Sequence, residues 1–346
     1  MGCRTPTLVL RLRDEETRAP EILDEPIDRP IFITGLPRSG TTFLHHLLTA
    51  DQANQVARVW QLIHPYPAPG SNAVKDHRRV ARQLRMFEIL SPEFRQLHPI
   101  KAGSPLTAHT LASLRFDTTY CVPSYRRWLD RIGHFESFRF HKRFLQHLQH
   151  QAGGPRRWVL KCPDHVFALS EIQAIYPDAR FVFVHRDPLS VVSSVVRLTE
   201  VLRRPFAWYI DRPALARQEC ERWSEAADLM MRAADQEPFA DPIFHLQYRD
   251  LVSDPVGAVE KLYRHFGLAL KEKAVAAMAK TVETNPNGGY GSTPYRLDDY
   301  DIDPGTVYER FGSYMTRFGT PPEPDRTARK PSLLPPIGKL STQTGV

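Results

Sequence analysis

Pro30-Ile-Phe-Ile-Thr-Gly-Leu-Pro-Arg-Ser-Gly-Thr-Thr-Phe-Leu-His-His-Leu-Leu48 joins two apolar patterns through a glycine turn. Ile31, Phe32 and Ile33 form a short strand-type run, and Phe43, Leu44, Leu47 and Leu48 recur at helical spacing. Between them lie Gly35, Gly40 and the hydroxyls of Ser39, Thr41 and Thr42. Strand, glycine loop and helix in this order make a phosphate-binding loop, because N–H groups at a helix N-terminus point at an anion and the helix dipole favours its charge. The spacing of Gly35 and Gly40 matches the loop of triphosphate-binding proteins, but Thr41 stands where those loops carry the lysine that reaches the β- and γ-phosphates. With Arg38 and Ser39 inside the loop, the pattern predicts a shorter phosphate group.

A second strand–helix junction follows at Arg180-Phe-Val-Phe-Val-His-Arg-Asp-Pro-Leu-Ser-Val-Val-Ser-Ser-Val195. Asp187 reads as an N-cap and Pro188 as a first helical residue. Arg186 at the strand's end and Ser194 two turns into the helix offer a fixed cation and a hydroxyl to one anionic group.

Together the two segments resemble the cofactor motifs of sulfotransferases that use 3′-phosphoadenosine 5′-phosphosulfate (PAPS). The family's Pro-(Lys/Arg)-Ser-Gly-Thr-Thr loop is matched by Pro37, Arg38, Ser39, Gly40, Thr41 and Thr42, which the resemblance assigns to the 5′-phosphosulfate. Its Arg-(Asn/Asp)-Pro junction, with a serine eight positions after the arginine, is matched by Arg186 and Ser194, assigned to the 3′-phosphate. Trp158-Val-Leu-Lys-Cys-Pro-Asp-His165 is similar to the Leu-Lys-x-Pro-x-His segment of the large microbial branch. The resemblance runs over residues 30 to 318. It implies PAPS as co-substrate, no metal, and a hydroxyl or amine of a small molecule as acceptor.

Sulfuryl transfer is an in-line displacement governed by positioning and charge stabilisation. Arg38 and the loop amides are expected to stabilise the leaving oxygen, with Lys161 bridging to the sulfonate. His165 is the expected general base, with His64, His109 and Asp117 as alternatives. Two departures stand out. Relatives carry Trp-Glu shortly after the loop, and this chain has Trp60-Gln61. Their Gly-rich stretch holds a basic residue, whereas Asn285 to Tyr295 has none before Arg296. The alternative functions are therefore a P-loop small-molecule kinase and a non-catalytic nucleotide-binding relative.

The remaining sequence fits one large domain. Alternating strands and helices predict an α/β fold: a P-loop NTPase-like parallel sheet flanked by helices, with a helical insertion at about 72–152 forming the acceptor side. Strands are expected at 157–161, 180–185 and 243–247, and helices near 74–90, 118–131, 137–151, 213–236, 255–266 and 304–318. Residues 1–29, charged and interrupted by proline, read as a loose N-terminal arm ahead of the 30–318 domain, and 319–346 as a Pro-rich tail. No apolar run is long enough to span a bilayer, residues 1–7 contain no signal-peptide core, and the four cysteines are scattered without metal-ligand spacing. These features lead to the expectation of a reduced, cytoplasmic protein that is compatible with a homo-oligomer. The net charge of +7 suits a polyanionic nucleotide. Nucleic acid is not expected as a partner, since Lys and Arg form no long run.

Overall fold

The computed structural model describes residues 4–66, 72–90, 92–97, 100–105, 115–235, 243–284 and 297–323. Five strands, β1 (Ile31–Gly35), β2 (Asn54–Gln55), β3 (Arg157–Lys161), β4 (Arg180–His185) and β5 (Phe244–Gln247), form one sheet in the order β2-β3-β1-β4-β5. All pairs are parallel, and Ile33 of β1 lies between Lys161 of β3 and Val182 of β4. β1 and β4 are buried along their whole length, which is why they read as unbroken apolar runs instead of alternating ones.

The period of two still sorts their side chains between two cores. Phe32, Leu160, Phe181 and Phe183 face one side, and Ile31, Ile33, Val159, Val182 and Val184 the other. The second side is covered by α2 (Thr41–Thr49), through Phe43, Leu44, Leu47 and Leu48, and by α13 (Pro255–His265) and α14 (Glu272–Thr284). The first side is covered by α8 (Phe135–Gln151), α10 (Pro188–Arg203) and α11 (Arg212–Asp235).

Among the described residues, the segment from β2 to β3 carries helices and no further sheet strand: α3 (Val59–Ile63), α4 (Ala73–Leu90), α5 (Pro92–Leu97), α6 (Arg115–Tyr120), α7 (Pro123–Ile132) and α8. The remaining helices are α9 (Leu169–Ile175), α12 (Tyr248–Ser253), α15 (Pro304–Arg310) and α16 (Gly312–Phe318). The helix expected over 304–318 is thus two helices, broken at Phe311. Strand β2 was not anticipated, because two polar residues give no periodicity to detect.

The N-terminal arm is not loose over its described part. Residues Arg4–Arg18 form helix α1, and Leu12, Ile22 and Ile27 are buried. Glu16 of α1 pairs with Arg143 and His147 of α8, while Gln146 donates to the carbonyls of Leu23 (2.6 Å) and Glu25 (3.1 Å). The charges that suggested a solvated arm are used as contacts to α8. Of the Pro-rich tail, residues up to Glu323 are described; Thr320 is buried and Glu323 is held against α10.

The sheet's centre depends on Gly35, whose φ is +130°. A Cβ there would lie 2.4 Å from the carbonyl oxygen of Val184 in β4. Gly35→Ala is therefore expected to destabilise the protein by more than about 2 kcal/mol through strain and separation of β1 from β4. A urea unfolding midpoint equal to that of the parent would contradict this.

Candidate active site

The chain leaves β1 into Leu36-Pro37-Arg38-Ser39-Gly40 and enters α2 at Thr41. Arg38 (φ +62°) and Gly40 (φ +87°) both take left-handed backbone, and Ser39 Oγ donates to the Leu36 carbonyl at 2.6 Å. Gly40 is the N-cap of α2, and no side chain caps the first turn. The turn's outward-pointing N–H groups are therefore presented to an anion. A Cβ on Gly40 would meet the ring of Tyr248 at 2.9 Å, so glycine is required by space as well as by φ.

Because β1 lies between β3 and β4, the residues that end those strands flank the loop. The site sits at the C-terminal ends of β1 and β4, adjacent strands whose onward connections run to opposite sides of the sheet, the usual ligand crevice of an open parallel sheet. Lys161 ends β3 and is buried instead of running out to solvent. Its neighbours include His46 on α2 and Arg58, which follows β2. Burial, with the charges of Lys161 and Arg58, lowers the His46 pKa to about 4, so this imidazole is neutral near pH 7. Sequence reading missed Arg58 because the short strand before it has no signature.

On the other side, Arg186 follows β4. Its Nη1 donates to the Arg38 carbonyl at 2.6 Å, and its guanidinium lies 4.1 Å from the Tyr248 ring centroid. Its other two nitrogens are engaged by the tail: Nε and Nη2 donate to the two carboxylate oxygens of Glu323 at 2.7 and 2.8 Å. Ser190 Oγ donates to the same carboxylate at 3.1 Å. This fork-on-fork pairing is the geometry arginine uses for carboxylates and phosphates alike. Asp187 caps α10 as expected, accepting from Leu189 and Ser190. Arg38 does not lean over the loop. Its Nε donates to Ser194 Oγ at 3.0 Å and its Nη1 to the Leu97 carbonyl at 2.9 Å. Arg38, Arg186 and Ser194 thus gather on the α10 side, with Lys161 and Arg58 on the β3 side.

His165 is placed differently from its expected role. It follows β3 in a 3-10 turn, Pro163–Ala168, with no solvent exposure. Its ring packs against Phe32 (centroids 5.2 Å apart) and Phe138 (5.9 Å) in the main core. In this structure the ring is enclosed by the core and is not open to solvent. Gln61 accepts from the Arg58 N–H at 2.9 Å and so closes the first turn of α3, a structural task that glutamine performs as well as glutamate. Of the other candidates, Asp117 of α6 is buried and its Oδ1 has no hydrogen-bond partner among the described residues. It lines a small cavity of about 30 Å³ with Asp164, Arg126, Glu219, Arg222 and Trp223. His109 and the stretch Asn285–Tyr295 lie outside the described residues. Also among the described residues, no His/Cys/Asp/Glu group is arranged to hold a metal ion.

Helix α10, which carries Ser190 and Ser194, is anchored by Glu200. This buried carboxylate accepts from Arg197 (2.9 Å), Arg204 (2.9 Å), Arg212 (2.9 Å) and the Tyr300 hydroxyl. Burial alone would raise its pKa, but the Tyr300 hydrogen bond and the arginine charges outweigh it and lower the value from 4.5 to about 2. A lowered folded pKa contributes stability that is complete above pH 4.5 and is lost as pH falls through about 2. Glu200→Gln should flatten this part of the acid-unfolding profile; an unchanged slope between pH 4.5 and 2 would contradict the network's role.

A loop at a helix N-terminus, flanked by cations at the ends of both neighbouring strands, is an arrangement of an α/β protein suited to an anionic ligand. Comparison with known proteins makes the class specific. Residues 30–272 match the model of the sulfotransferase family. The chain is 31% identical to sulfotransferase STF1 of Mycobacterium tuberculosis H37Rv, whose crystal structure superposes with a TM-score of 0.73 over 87% of this chain and 81% of that one. The crystal structure of sulfotransferase STF9 from Mycobacterium avium gives a TM-score of 0.79 at 24% identity, covering 90% of this chain and 82% of that one. A curated relative, the omega-hydroxy-beta-dihydromenaquinone-9 sulfotransferase Stf3 of Mycobacterium bovis, is 26% identical over 322 residues, 89% of this chain and 79% of its own. The chain belongs to the PAPS-dependent sulfotransferase family, and it is an enzyme that moves a sulfuryl group to a small-molecule acceptor.

Proposed function

We propose that the amides of Ser39 to Thr42, with the hydroxyls of Thr41 and Thr42, hold the 5′-phosphosulfate of PAPS, and that Arg186 and Ser194 receive its 3′-phosphate. The carrying observation is that Arg186 hydrogen-bonds the loop itself, at the Arg38 carbonyl, while its forked face is already shaped around a bidentate anion. Arg38, turned toward Ser194, belongs with this half of the site. Lys161, on the opposite flank, stabilises the charge that grows on the leaving oxygen.

The acceptor in this reading is a hydroxyl-bearing molecule with an extended apolar chain, approaching from the helical side. The similarity to Stf3, whose name specifies a hydroxylated menaquinone, supports it. As the acceptor oxygen bonds to sulfur, the S–O bond to the 5′-phosphate breaks and the acceptor's proton must be taken up. Asp117 is the proposed proton acceptor: its carboxylate lines the cavity next to Asp164, in the turn after Lys161, with one oxygen unbonded to any described residue. With radiolabelled PAPS and a long-chain isoprenoid alcohol, label should appear in the alcohol. Asp117→Asn should lower kcat by about 10² while retaining affinity for 3′-phosphoadenosine 5′-phosphate (PAP). A variant with full turnover would remove Asp117 from the mechanism, and no transfer to any hydroxylated lipid would refute the acceptor class.

Glu323 bears on the other end of the nucleotide. Its carboxylate takes the two guanidinium nitrogens proposed for the 3′-phosphate, so binding requires it to be displaced. Glu323→Ala should tighten PAP binding by about tenfold, measured by calorimetry, because a competing anion is removed. Weaker binding would mean that the carboxylate supports the site instead of competing for it.

A further inference from the structure

The turn between α10 and α11 and the outer faces of α6 and α7 present aromatic rings to solvent. Trp208 is fully exposed, Tyr209 is 80% exposed, and Phe206, Phe116, Trp128 and Tyr120 are each at least two-fifths exposed. These rings are not scattered. Trp128 contacts Tyr125 (5.6 Å), Tyr125 contacts Phe116 (5.3 Å), Phe116 contacts Tyr120 (5.0 Å), and Tyr120 contacts Phe206 (4.7 Å), two residues before Trp208. Single exposed apolar residues need no explanation, but a continuous patch does.

Charge selects the occupant. Arg127 and Arg131 of α7, exposed on the helix that carries Trp128, make no ion pair among the described residues. The nearby acid Asp130 lies 3.6 Å from Arg222. Trp208 and Tyr209 stand almost wholly in solvent, which suits insertion into a soft surface more than fitting a rigid partner. Tryptophan and tyrosine beside arginine is the composition of the water–headgroup boundary of a bilayer. The same two helices carry Asp117, Thr118 and Arg126, which line the small cavity that holds the proposed proton acceptor. Outward rings and inward cavity residues therefore share one structural unit.

We infer that this patch docks the enzyme on an anionic lipid surface and that the acceptor is drawn from that surface through the α6–α7 unit. The docking step rests on the lipid-chain acceptor proposed above. Its test is sedimentation of the full-length protein with vesicles of mixed phosphatidylglycerol and phosphatidylcholine, against phosphatidylcholine alone. Binding is expected to the anionic vesicles, to weaken with salt, and to fall at least about tenfold in Trp208→Ser/Tyr209→Ser. These positions are exposed, so the double variant should keep the parent's PAP affinity and its turnover of a short, water-soluble alcohol, and lose turnover only with acceptor embedded in vesicles. Equal vesicle binding by parent and variant, or none by either, overturns the inference. So does a concentration-dependent dimer that the same substitutions abolish, which would make the patch a self-interface. Failure of the acceptor reading shows separately, as absence of transfer to vesicle-borne alcohol by a parent that does bind the vesicles.

Discussion

The structure hangs on the close approach of β1 to β4 at Gly35. Only a residue without a Cβ lets the chain leave β1 against the Val184 carbonyl, and that exit sets where the loop begins. From there the other positions follow. Gly40 can turn the loop into α2 beneath Tyr248, and Arg186, one residue beyond β4, comes within a hydrogen bond of the Arg38 carbonyl. Because β3 pairs with the other edge of β1, Lys161 ends beside Ile33 and the loop is bracketed from both sides. The parallel sheet thus delivers like charges to one crevice that no single segment could assemble.

Concentrating cations there has an electrostatic cost, and the molecule offsets it in two ways. Burial and the charges of Lys161 and Arg58 keep His46 neutral, so it adds no further positive charge. Glu323 closes on Arg186 from the tail, supplying a carboxylate where the proposed ligand supplies a phosphate. Helix α10 bears this arrangement on a firm base, since Glu200 ties it to α11 through Arg212 and to the segment before α15 through Tyr300.

Much of this was legible in the sequence, for reasons that can be named. Strands β1, β3 and β4 are buried on both faces, so their apolar runs stand out, and the Asp187-Pro188 cap marks the start of α10 without ambiguity. The loop and the Arg186 junction stand out by spacing and resemblance, and the structure brings Arg186 within a hydrogen bond of the loop. What escaped the sequence depends on contacts between distant segments. β2 is a strand only because Arg157 and Trp158 pair with it, and α1 is docked only because Glu16 meets Arg143 and His147. The direction of Arg38, the enclosure of His165 by Phe32 and Phe138, and the capture of Arg186 by Glu323 are likewise tertiary. His165 stands four residues after Lys161 in sequence, while its ring fills the core beside Phe32 and Phe138.

The central claim is that one nucleotide spans the crevice, with its 5′ end in the loop and its 3′ end on the α10 side. A crystal structure of the protein with PAP tests it most directly. The account predicts the 5′-phosphate against the amides of Ser39 to Thr42, the 3′-phosphate against Arg186 and Ser194, and Glu323 displaced. A 3′-phosphate held elsewhere, with the Arg186–Glu323 pair intact, would contradict it.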